Sequence, residues 1–66
     1  MSLALEQRVL ALLDRVASPC SVHDVATQLG LPDDRIEPAM ATLAAWGLVV
    51  AVEYENDPPA YRHKDA

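Results

Sequence analysis

The chain has 66 residues, 52% hydrophobic and 23% charged, an ordinary globular mixture rather than a disordered one. One domain over residues 1–66 is expected, and a domain this small buries only about 60% of its unfolded surface, too little to enclose a deep catalytic cleft. Ten acidic against five basic side chains leave a net charge of −5, which opposes non-specific attraction to phosphate, because that attraction comes from Lys and Arg replacing counterions.

The apolar run from Leu43 to Val52 falls short of the roughly 20 residues that span a bilayer. Glu6 and Arg8 interrupt the apolar N-terminus before a signal segment can form. A single cysteine makes no internal disulfide. These features lead to the expectation of a cytoplasmic, reduced protein with no membrane partner.

Leu5, Val9, Leu12, Leu13 and Val16 recur at helical spacing and predict an amphipathic helix over 3–17. Ser18-Pro19 ends it, since the residue before proline is pushed out of the α region. Leu3, Leu10 and Ala17 repeat every seven residues, away from the centre of the core stripe. Such a repeat either widens the buried stripe, or wraps the N-terminus onto the wing, or forms a coiled-coil-like seam, with Leu3 and Leu10 as self-association residues of a homodimer.

Ser21-Val22-His23-Asp24 reads as a capping box that opens a second helix over 22–29. Val25, Ala26 and Leu29 face inward, and Gly30 ends the helix where positive φ costs glycine little. Cys20 packs on Val25 as a hydrophobic staple. If exposed, its place at a helix N-terminus predicts a reactive thiol. Cys20 and His23 offer half a zinc site at most, because a structural site needs four ligands and His63 and the scattered carboxylates supply no paired spacing. No metal and no cofactor are expected.

Leu31-Pro32-Asp33-Asp34 opens a third helix over 33–46, with Ile36, Met40 and Leu43 inward. Pro38 costs little if the helix begins near Asp34, and kinks it if the helix begins at Pro32. Gly47 then ends it, with Leu48 folded back onto Leu43. Leu48 to Tyr54 reads as a strand, Glu55 to Pro59 as a turn and Ala60 to His63 as a return strand, a hairpin over 48–63. Lys64-Asp65-Ala66 is expected to fray.

This order of three helices and a hairpin resembles the winged helix-turn-helix superfamily over nearly the whole chain. The stretch Val25-Ala26-Thr27-Gln28-Leu29-Gly30-Leu31-Pro32 looks like that superfamily's turn. Met40, Leu43, Gly47 and Leu48 match its usual end of the third helix. The resemblance implies a mainly α fold with a small β-hairpin as the wing. It also implies a DNA-binding transcriptional regulator, with the third helix in the major groove and the wing on the backbone. Arg35, Thr42, Arg62 and Lys64 are the contacts available for that role. Terminal helices often join such regulators into dimers, which favours the seam through Leu3 and Leu10.

The third helix departs from that pattern. Its outward face carries Asp34, Pro38, Ala41 and Ala45, with Glu37 and Thr42 at the margins and Arg35 on a flank. Base readout needs Arg, Lys, Asn or Gln. The face is either a plain solvated surface or a close-packing protein interface formed by Pro38, Ala41, Ala45 and Trp46 within an acidic rim. Trp46 either belongs to the core, or lies as a semi-exposed lid over the end of the third helix, or anchors a partner together with Arg35. Arg62, His63 and Lys64 are basic, but Glu53, Glu55 and Asp57 share their hairpin. No Ser-His-Asp order, glycine-rich phosphate loop or metal-binding helix motif is present, so no catalytic residues are expected. The reading reached is a non-enzymatic module that docks a protein partner or a second copy, with DNA binding as the alternative.

Overall fold

The computed structural model describes residues 4–16 and 18–65. Its elements run α1 (Leu5–Arg15), β1 (Cys20–Ser21), α2 (Val22–Leu29), α3 (Asp33–Ala45), β2 (Val49–Val52) and β3 (Ala60–His63). Leu3, Ala17 and Ala66 lie outside the described residues.

In α1, Glu6 in the first turn and Arg15 in the last complement the helix dipole. The helix ends at Arg15, earlier than the proline signal alone predicts. Val16 is already extended, with φ −88° and ψ 130°, and its side chain packs partly against the core. Its amide still donates to the Leu12 carbonyl at 3.0 Å.

The capping box of α2 closes in both directions. Ser21 Oγ accepts from the Asp24 amide at 3.1 Å, and the Ser21 amide donates to Asp24 Oδ2 at 3.1 Å. At the other end Gly30 adopts φ 68°. Its amide donates to the Thr27 carbonyl at 3.3 Å and the Leu31 amide to the Ala26 carbonyl at 3.0 Å. Two orphan carbonyls are satisfied this way, which is the Schellman arrangement.

α3 begins at Asp33, so Pro38 is its sixth residue, beyond the first turn. Proline there forfeits the bond to the Asp34 carbonyl, yet the helix continues unbroken. Both residues are exposed, so water can satisfy that carbonyl. Thr42 Oγ1 donates to the Pro38 carbonyl at 3.0 Å. A second Schellman arrangement ends the helix: Gly47 has φ 74°, its amide donates to Ala44, and the Leu48 amide donates to Leu43, each at 3.0 Å.

The sheet has three antiparallel strands in the order β1-β3-β2. The hairpin expected from the sequence is therefore joined by β1, which pairs Cys20 with Tyr61 and Ser21 with Ala60. A two-residue strand between Pro19 and a helix cap carries no periodicity to reveal it. The wing tip turns through Asn56 at φ 67°. Lys64 and Asp65 are tied rather than frayed, since the Lys64 amide donates to the Leu48 carbonyl at 3.1 Å and the Asp65 amide to His63 Nδ1 at 3.1 Å.

Val9, Leu12 and Leu13 of α1 meet Val25 and Ala26 of α2 and Ile36, Ala39, Met40 and Leu43 of α3 in one core, closed by Cys20 and Val49. No described helix is long and apolar enough to cross a membrane. Cys20 lies in the core with Val25, so the condition of exposure attached to a reactive thiol is not met. It is buried among the core residues, and its pKa is raised above the ordinary 9.0, first by burial and then by the Asp24 charge. Desolvation outweighs the helix dipole here.

Ser21→Ala should cost about 1 kcal/mol of stability through the lost cap. Gly47→Ala should cost roughly 1–2 kcal/mol from left-handed backbone strain. Its added Cβ meets no atom within 4 Å, so no clash adds to that cost. Thermal unfolding followed by circular dichroism checks both. Alkylation of Cys20 should be far slower in the folded chain than in urea. The stability that the neutral thiol contributes should be full below pH 9.0 and be lost as pH rises toward its raised folded pKa.

Candidate functional site

Burial of Ile36, Ala39, Met40 and Leu43 fixes which side of α3 meets solvent. Asp34, Glu37, Pro38, Ala41 and Ala45 are all exposed. Pro38, Ala41 and Ala45 thus form a strip of short side chains, with carboxylates toward its N-terminal end. Trp46 is 64% exposed, so it is not part of the core. One turn of α-helix has passed between Thr42 and Trp46, and the Trp46 amide still donates to the Thr42 carbonyl at 3.0 Å. Trp46 is thus the C-cap residue of α3, at the C-terminal end of the strip.

The residues available for a duplex come from α3, from β3 and from the residue that follows β3. Arg35 is the sole cation of α3 and is exposed in its first turn. Thr42 is half-buried, and its hydroxyl is committed to the Pro38 carbonyl. Arg62 is half-buried on β3, with Nη1 donating to the His63 carbonyl at 3.4 Å. Lys64 is exposed beside Leu48, past the far end of α3. Arg35 and that end are about 15 Å apart along the helix axis. Of the two seam residues, Leu10 on α1 is half-buried and packs partly against the core of its own chain, and Leu3 lies outside the described residues.

A cleft of about 330 Å³ lies between α3 and the wing. The start of α2 supplies Ser21, Val22 and His23, and α3 supplies Asp33, Glu37 and Ala41. Pro58 and Pro59 of the wing tip and Tyr61 of β3 close the opposite wall. His23 Nδ1 stands 3.3 Å from both oxygens of the Asp33 carboxylate and ties α2 to the first turn of α3. Glu37 forms no hydrogen bond or ion pair among the described residues. Arg35 sits two positions before Glu37, about 200° away round the helix, and forms no ion pair with it.

The sequence placed Ala41 and Glu37 on the outward side of the third helix and His23 at the start of the second, but not the cleft that they share. Three segments distant in the chain build it, and Pro58-Pro59 carried only a turn signal. Among the described residues no group of three or more His, Cys, Asp or Glu side chains is placed to hold a metal ion. The remaining histidine, His63, accepts from the Asp65 amide at Nδ1 and lies on a different element from His23.

No protein-family model matches the chain, and no curated protein matches its sequence significantly. Solved structures do resemble it. The apo Zalpha domain of zebrafish PKZ superposes with a TM-score of 0.80 at 22% identity, over 89% of each chain. A MarR-family transcriptional regulator from Rhodococcus sp. RHA1 superposes with a TM-score of 0.78 at 26% identity, over 92% of this chain. The match covers 45% of the regulator's chain, less than half its length. Three helices packed on a small antiparallel sheet, with these structural neighbours, give the chain a winged helix-turn-helix fold.

Proposed function

We propose that this winged helix is a non-enzymatic docking module that binds a protein through the outward side of α3. One observation carries the reading. The face on which a winged helix would meet a duplex presents short apolar side chains among carboxylates, with Arg35 as the one cation of the helix. Short side chains let a partner backbone approach closely, and exposed tryptophan is a favoured anchor. The same face repels phosphates, because Asp33, Asp34 and Glu37 would have to be desolvated beside like charge. Pro38, Ala41 and Ala45 supply the contact strip, and Trp46 extends it at the C-terminal edge. Self-association through Leu3 and Leu10 would join two copies along a separate surface, away from the outward side of α3.

The second reading is a DNA-binding transcriptional regulator. The likeness to the Rhodococcus regulator favours it, as does the exposure of Arg35 and Lys64. Charge argues against it.

Fluorescence anisotropy with a labelled random duplex at about 50 mM salt separates the two. No binding is expected. A steeply salt-dependent affinity that weakens in Arg35→Ala or Lys64→Ala would establish the regulator instead. Because Trp46 is exposed, Trp46→Ala should change stability by no more than about 0.5 kcal/mol in chemical unfolding. A loss of several times that size would mean that the indole packs on its own chain and is not available as an anchor. Sedimentation at several concentrations checks the homodimer: a dimer dissociated by Leu10→Glu supports it, and a concentration-independent monomer removes it.

A further inference from the structure

We propose that the cleft between α3 and the wing seats an arginine side chain from a basic, extended segment of the partner protein. The inference rests on the docking reading and names the chemistry of its partner.

The volume of the cleft, about 330 Å³, is at the small end of the range of about 300–1,000 Å³ typical of ligand clefts, which suits one long side chain and not a helix. Val22, Ala41, Pro58 and Pro59 make its wall largely apolar, a match for the methylene stem of arginine. Tyr61 adds an aromatic ring, on which a guanidinium stacks better than an ammonium.

Charge selects the head group. Glu37 and Asp33 both line the cleft, one helical turn apart on the same side of α3. Asp33 already faces His23, whereas Glu37 has no partner among the described residues. An unpaired carboxylate against an apolar wall is complemented by a planar cation that can donate two hydrogen bonds to it. Glu53, Glu55 and Asp57 of the wing are exposed as well, and the whole chain carries −5. Such a field speeds the encounter with a basic segment and disfavours nucleic acid or an acidic peptide. Pro58 and Pro59 fix their own φ angles, so the wing-side wall has little freedom to lose on binding.

The test uses the full chain and two short labelled peptides of identical length. One carries arginines spaced by alanine and proline. The other replaces each arginine with citrulline, which keeps the shape and removes the charge. Anisotropy gives affinity, and amide NMR spectra locate the contact. The arginine peptide should bind and shift the amides of Val22, Glu37 and Ala41. The citrulline peptide should bind about tenfold more weakly or worse, and Glu37→Gln should lower arginine-peptide affinity by about tenfold with its unfolding temperature unchanged. Ala41→Arg, which fills the cleft from within, should abolish binding in a chain that still gives a folded spectrum.

Equal shifts of these amides by both peptides would overturn the selection of a cation while leaving the docking face in place. Arginine-peptide shifts confined to other surfaces, or none at millimolar peptide, would overturn the cleft as its seat. A random duplex that shifts these amides where neither peptide does would overturn the cleft assignment and the docking reading together.

Discussion

Burial of one side of α3 is the constraint from which the surface follows. Ile36, Ala39, Met40 and Leu43 are nearly inaccessible and meet α1, α2 and β2 in a single core. With 3.6 residues per turn, that choice leaves no freedom over which residues point outward. Pro38, Ala41 and Ala45 must face solvent, and Glu37 must turn toward the wing. Rotating α3 to offer Arg35 instead would drag Met40 and Leu43 out of the core, at several kcal/mol for each large side chain exposed. The character of the outward face is therefore tied to the stability of the fold.

The ends of α3 hold that face in place by independent means. At the start, Asp33 meets His23 from α2, and both side chains are largely exposed, so the contact orients more than it stabilises. At the finish, Gly47 in the left-handed region reverses the chain and passes Leu48 back over Leu43. The reversal also aims β2 at β3, whose far end brings Tyr61 and the proline pair up to α3. The wing and the helix thus come together because of a glycine some distance from the cleft they form.

Much of this was legible in the sequence because its signals are local. Ser21 and Asp24 announce a helix start through hydrogen bonds only three residues long, and Gly30 and Gly47 announce two stops. Other features were not legible, for physical reasons. β1 exists only because Cys20 and Ser21 meet Tyr61 and Ala60, forty residues on. The same pairing buries Cys20, so a thiol that a helix N-terminus would activate is instead held neutral. Pro38 sits where neither a first-turn position nor a kink describes it, since one lost bond to a solvent-facing carbonyl leaves the helix whole. Trp46 lies beyond the last helical residue, where a helical wheel gives no guide to its burial. The cleft gathers side chains from α2, α3 and the wing, and no spacing within one segment encodes it.

The sign of the electrostatic potential over α3 is the quantity on which the docking reading turns. It can be measured without any partner, by comparing the relaxation of backbone amides caused by a cationic and an anionic soluble nitroxide at low salt. The cationic probe should gather at Glu37 and Ala41 and relax their amides more strongly than the anionic probe does. Stronger relaxation of those amides by the anionic probe would mean that the face attracts phosphate, and the case for a protein partner there would fail.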